Sequence, residues 1–219
     1  MIKFLLFLWF CLIGSTTIHS EQYNVPNISA NLEDEIIHSV MEQIEKANES
    51  HVIKPEKQII PIVGVINDDL ILSVMELVDE TEEETDIIFY FDTPGGSVTS
   101  GMKLLPYLQR TDSVCVVQSA YSMGFVLFQA CSKRYMLPYG SLMQHDMYLG
   151  VRDDFHRIRS YLRYLEKVYN KLIQLQIERI GISRQKFIQR ILRNWWLTAE
   201  EAVEENCADA IIPSISSIQ

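Results

Sequence analysis

Ile87-Ile88-Phe89-Tyr90-Phe91-Asp92-Thr93-Pro94-Gly95-Gly96-Ser97-Val98-Thr99-Ser100-Gly101-Met102 is the stretch that decides the fold. Its first five residues are apolar or aromatic without alternation, which suits a strand covered on both faces, as in a parallel sheet. The turn Pro94-Gly95-Gly96 then leads to a helix around Gly101 to Arg110. The same order recurs downstream. Val114-Cys115-Val116-Val117 reads as the next buried strand, Ser119 to Ser122 as a sharp turn, and Met123 to Ala130 as an apolar helix. Upstream, Ile59 to Ile66 reads as a strand whose Pro61 implies an edge or strand-start position. Asn67 and Asp68 then cap a helix carrying Leu70, Ile71, Val74, Met75, Leu77 and Val78. Strands alternating with helices across short turns predict an α/β domain, a mostly parallel sheet with surrounding helices.

Beyond Ala130, Tyr135-Met136-Leu137 reads as a short strand, and Leu142-Met143 leads to His145. A long helix is expected from about Asp153 to Ile180, with Gly181 ending it. Its apolar seam (Phe155, Ile158, Leu162, Leu165, Tyr169, Leu172) outruns one small domain, so it is expected to project and pack on another subunit. Ser183 caps a short helix to about Arg193, and Thr198-Ala199-Glu200-Glu201 is a capping box that starts another.

The chain divides into a targeting segment (1–20), an acidic polar extension (21–57), the α/β domain (58–213) and a tail expected to fray (214–219). Lys3, the apolar run Phe4 to Gly14 and the small or polar Ser15, Thr16, Thr17 and Ser20 have the layout of a secretory signal peptide, with cleavage expected after Ser20. The expected location is therefore the secretory-pathway lumen or outside the cell; an uncleaved signal anchor tethering the chain to a membrane is the alternative. After signal removal no segment approaches the roughly 18 apolar residues of a membrane span. In the extension, Ile36, Ile37, Val40, Met41 and Ile44 recur at helical spacing, and Asn27-Ile-Ser and Asn48-Glu-Ser are glycosylation acceptors. A net charge of −10 argues against a nucleic-acid partner. The acidic run at Glu80, Glu82, Glu83, Glu84 and Asp86 reads as a solvated loop. Once Cys11 leaves with the signal, Cys115, Cys131 and Cys207 remain, an odd set without metal-type spacing. Cys115 and Cys131 are expected to be buried thiols rather than disulfide partners. Nothing in the sequence calls for a metal or cofactor.

A serine hydroxyl needs a base, a group that orients the base, and donors for the developing oxyanion. Ser122 follows a buried strand and precedes a helix, so its Oγ is expected at the carboxyl end of the sheet, where open α/β folds place ligands. The amide of Met123, at the helix start, points the same way. Taken singly, Ser122 reads first as a helix N-cap, Gly95-Gly96 as a plain turn and His145 as a packed or surface histidine. His19, His38, His51 and His156 lie in less suitable segments.

The blocks together say more. Thr93-Pro94-Gly95-Gly96-Ser97-Val98-Thr99-Ser100-Gly101-Met102, Gln118-Ser119-Ala120-Tyr121-Ser122-Met123-Gly124, Met143-Gln144-His145, and Leu197-Thr198-Ala199-Glu200-Glu201-Ala202-Val203-Glu204 occur in this order. The sequence from about Ile59 to Ile212 thereby resembles the proteolytic subunit of the Clp protease family. The resemblance implies the crotonase-like fold with a projecting handle helix, and homo-oligomeric rings that enclose a chamber. It implies Ser122 as nucleophile, His145 as general base, and the amides of Gly96 and Met123 as the oxyanion hole. The third triad position, usually aspartate, falls on Asn194. An asparagine can orient the histidine but supplies no negative charge, and a donated amide hydrogen would favour the wrong tautomer. Asp146 and Asp153 are nearby carboxylates that could substitute.

Other positions depart from the family pattern. Asp146 follows His145 where the family usually reads glutamine-proline. Only Gly150 remains of the glycine pair beside substrate, and the extension before Ile59 does not resemble the axial-pore loop. A secretory chain is not expected to meet the ATP-driven unfoldase that usually partners the family. The leading expectation is a serine endopeptidase acting on peptides or unfolded protein through Ser122, His145 and Asn194. The alternatives are a catalytically inactive scaffold subunit, a crotonase-type enzyme holding an acyl-coenzyme A enolate, and a Ser–Lys peptidase using Lys133 or Lys167.

Overall fold

Continuous apolar runs become the central strands. The computed structural model describes residues 57–218 except 83, 84, 110 and 111, together with His38, Ser39 and Glu42. Those last three are helical, within the stretch where an amphipathic helix is expected. The expected signal peptide, the rest of the extension to residue 56, and both glycosylation tripeptides lie outside the described residues.

Six strands form one sheet: β1 (Lys57–Val63), β2 (Asp86–Thr93), β3 (Val114–Tyr121), β4 (Lys133–Gln144), β5 (Trp195–Thr198) and β6 (Ala210–Ile211). The order is β1-β2-β3-β4-β5, with β6 also beside β4. β1 to β4 are mutually parallel, β5 runs antiparallel to β4, and β6 runs parallel to it. β1 is the edge strand, which is where Pro61 costs no internal ladder bond. On β2 the successive residues Ile88 and Phe89 are both buried, so both faces are covered, as the unbroken apolar run requires.

The helices begin where their caps allow. Asn67 Oδ1 accepts from the Leu70 amide (2.8 Å) to start α1 (Asp68–Asp79), which buries Ile71, Val74 and Val78. Ser97 caps α2 (Val98–Leu108). α3 (Met123–Ala130) is apolar all round and is buried from Met123 to Gln129. α4 (Phe155–Ile180) is the long helix; Asp154 caps it, and Gly181 ends it at φ 77°. α5 (Arg184–Ile191) and α6 (Ala199–Glu204) follow, the latter behind the complete capping box of Thr198 and Glu201.

Two expectations change. The short strand expected at Tyr135 to Leu137 is part of one strand of 12 residues, β4, which runs on through Leu142 and Met143. The sheet absorbs Pro138 and Gly140: Val117 pairs with Met136 and Ser119 with Ser141, so the extra residues bulge out. Cys115 and Cys131 are not thiols but a disulfide (Cα–Cα 6.1 Å). The reason is topological: α3 folds back along β3, which returns residue 131 to residue 115. Cys207 remains a buried thiol, its pKa pushed up to about 12 chiefly by burial. The tail expected to fray carries one exposed 3-10 turn, Ile215–Ser217.

Candidate active site

One residue, Ser122, joins the end of β3 to the start of α3. Its backbone sits at φ 55°, ψ −117°, a region that costs a non-glycine residue about 1–3 kcal/mol unless its surroundings hold it there. They do. Its amide donates to Met143 O (2.9 Å), and its carbonyl accepts from the Val126 amide (3.3 Å). The Cys115–Cys131 disulfide closes the loop that contains it. The Ser122 side chain makes no capping hydrogen bond, so the N-cap reading does not account for it.

The turn before α2 lies directly against this serine. A Cβ on Gly95 would fall 2.4 Å from Tyr121 O and 2.8 Å from Ser122 Cβ. Gly96, at φ 151°, leaves no room for a Cβ either, which would fall 2.3 Å from Ile66 O. Ile66 pins the turn from both sides, donating to Gly95 O (2.8 Å) and accepting from the Ser97 amide (2.8 Å). The amides of Gly96 and Met123 donate to no other group among the described residues, leaving two N–H groups beside Ser122.

Strand register brings the histidine to the same place. Tyr121 pairs with Met143 in parallel register, so Ser122 and His145 leave neighbouring strands at the same end of the sheet. Gly96, Ser122, Met123 and His145 line one cavity of about 300 Å³, walled by apolar side chains such as Val98, Val126 and Leu172. No hydrogen bond joins Ser122 Oγ to the imidazole among the described residues; such pairs often tighten only around substrate.

Asn194 lies one residue beyond the Gln144–Trp195 pair of β4 and β5, as His145 does on the other strand, but makes no hydrogen bond to the imidazole among the described residues. It is exposed, has φ 56°, and lines a different concavity with Lys186, Arg190 and Trp196. Of the two nearby carboxylates, Asp146 lines the Ser122 cavity, whereas Asp153 binds the Asp154 amide at the start of α4. Lys133 begins β4, at the opposite end of that strand from His145, and Lys167 is exposed on α4. Neither lysine lines the cavity, which counts against a Ser–Lys pair.

The structure adds three residues that the sequence did not single out for this site: Gln144, Tyr169 and Gln176 all line the cavity. Tyr169 was legible only as part of an apolar seam. Its phenol is pushed up to about 12, first by burial and then by its hydrogen bond to Asp146 and that carboxylate's charge. A glutamine on the same helical stripe as Leu172 and Ile173 was the available signal for Gln176.

The sequence profile of Clp protease matches residues 45–214. The ATP-dependent Clp protease proteolytic subunit 2 of Cutibacterium acnes is 28% identical over 158 residues, 70% of this chain and 74% of that one. With the parallel sheet, the long helix and the cavity at the strand ends, this match shows that the chain belongs to the Clp protease family.

Proposed function

We propose that the protein is a serine peptidase that cuts peptides or unfolded protein. The observation that carries this reading is the strained Ser122, held between two unpaired amides and His145 in one cavity. Ser122 Oγ attacks the scissile carbonyl carbon while His145 takes its proton. The amides of Gly96 and Met123 hold the oxyanion. His145 returns the proton to the leaving amine, and water then hydrolyses the acyl-enzyme. Of the expected Ser–His–Asn triad, Ser122 and His145 carry the proton transfer, and Asn194, one residue beyond the Gln144–Trp195 pair, is the residue placed to orient the imidazole if it bonds to it in the working enzyme.

The cellular setting is part of the same proposal. The buried Cys115–Cys131 disulfide supports an oxidising compartment, as the signal-like amino terminus suggests. Work without an ATP-driven unfoldase follows from that setting. Phe155, Tyr161, Leu162 and Tyr164 leave large apolar surface exposed on the first half of α4, which supports assembly with further copies into rings. No helix among the described residues is long and apolar enough to cross a membrane.

A fluorophosphonate probe tests the reading. Ser122 is expected to be labelled, and Ser122→Ala is expected to abolish both labelling and peptide hydrolysis. Unchanged labelling in that variant would sink the assignment. A second reading, an inactive ring subunit, draws on the missing Ser122–His145 hydrogen bond and the position of Asn194. Absence of labelling in the folded wild-type protein favours it.

A further inference from the structure

α4 turns one stripe of side chains into the Ser122 cavity: Tyr169, Leu172, Ile173 and Gln176, spaced as i, i+3, i+4 and i+7. Two are apolar wall. The other two reach the chain on either side of His145.

On the side before the histidine stands a buried amide pair. Gln144 is 4% exposed and Gln176 1%. Amides in such a place are costly unless bonded. Here the His145 amide donates to Gln144 Oε1 (3.1 Å), and Gln144 Nε2 donates to Gln176 Oε1 (2.5 Å). Gln176 Nε2 then donates to Leu172 O (2.8 Å). The bonds run without a gap from the main chain of the histidine to the main chain of α4. On the side after the histidine, Asp146 accepts from the Met147 amide (2.9 Å), and its carboxylate lies in the same cavity as Tyr169, whose phenol it helps to push up.

We propose that Gln176 and Tyr169 are positioning residues for His145. α4 meets the residue before the imidazole and the residue after it, and so restrains a ring to which Asn194 makes no hydrogen bond among the described residues. Two contacts about 7 Å of extended chain apart restrain both the path and the twist of the backbone carrying the ring; a single one would leave the twist free. The inference rests on the peptidase reading for its kinetic consequence, but not for its structural one.

The test uses the full chain and the variants Tyr169→Phe, Gln176→Met and both together. Two measurements are made: peptide hydrolysis with fluorophosphonate labelling, and exchange of the histidine C2 protons followed by mass spectrometry. The double variant is expected to lose about tenfold to a hundredfold in kcat and labelling rate, with KM nearly unchanged. His145 exchange is expected to accelerate toward that of the exposed His156. Wild-type exchange at His145 in the double variant would overturn the proposal, and so would a rise in KM with kcat intact, which marks substrate contacts. If the double variant does not fold, Tyr169→Phe, which removes one oxygen, is judged by the same criteria. Absence of Ser122 labelling in the wild type would defeat the peptidase reading alone, because histidine exchange still decides the positioning role.

Discussion

Ser122 and Asn194 share a sign of φ and little else. Both are non-glycine residues near +55°, at 55° and 56°. Ser122 is held there by distant parts of the chain: Met143 on the next strand, the turn at Gly95, and a disulfide across β3 and α3. Asn194 needs no such help. It lies just past the end of α5, with its amide donating to Ile191 O (3.3 Å), and asparagine tolerates the left-handed region. Asn206 repeats the arrangement after α6, at φ 56° with its amide on Val203 O (3.0 Å). One positive φ is strain sustained by tertiary structure at a cavity; the other is local turn chemistry. Asn194 therefore has a structural reason to be there. Its neighbour Trp195 packs on Phe125 and Phe187 with Arg190 over its ring and pairs with Gln144, which fixes where the turn enters β5.

The contrast can be broken at either end. The largest effect is expected at Gly96. In Gly96→Ala the new methyl must displace the turn from Ile66, moving one of the two free amides, and kcat is expected to fall about 10²–10³-fold while the protein stays folded. Wild-type turnover in that variant would remove Gly96 from the oxyanion hole. A smaller loss is expected in the support of Ser122. Replacing both Cys115 and Cys131 by alanine frees a loop with a sequence separation of 16 and should cost about 3 kcal/mol in a denaturant titration. Labelling of Ser122 should slow more than global stability alone explains, since this loop carries the strained turn. The smallest effect is expected at Asn194. Asn194→Ala should change kcat by less than about threefold, whereas an orienting residue in contact with the histidine would cost up to about 10⁴-fold. A loss of that larger size would show that Asn194 reaches His145 in the working enzyme.

Much of the frame was legible locally. The run Ile87 to Phe91 announced a strand covered on both faces, and Asn67, Ser183 and Thr198 announced their helices through the caps they form. Gly96, Ser122 and His145 were legible as a set of blocks in order, and the structure places them in one cavity. The disulfide was not legible, because pairing of residues 16 apart depends on the direction in which α3 returns along β3. Only Tyr135 to Leu137 of β4 was legible as a strand, because a bulge at Pro138–Gly140 looks the same in sequence as a strand end.

The sequence by itself determined the alternation of elements, the caps, and the residue types available for acyl transfer. Those depend on periodicity and on chemistry within a few residues. Tertiary structure alone decided which of these groups meet. The register of β3 against β4 sets His145 near Ser122, and the packing of α4 presents Gln176 and Tyr169 to the histidine's neighbours. It also left Asn194 in a concavity of its own, since the turn after α5 is governed by the helix it ends and by the packing of Trp195. Relations of this kind span from 22 to 32 residues in sequence, as from Tyr121 to Met143 or from Gln144 to Gln176, and no local pattern encodes them.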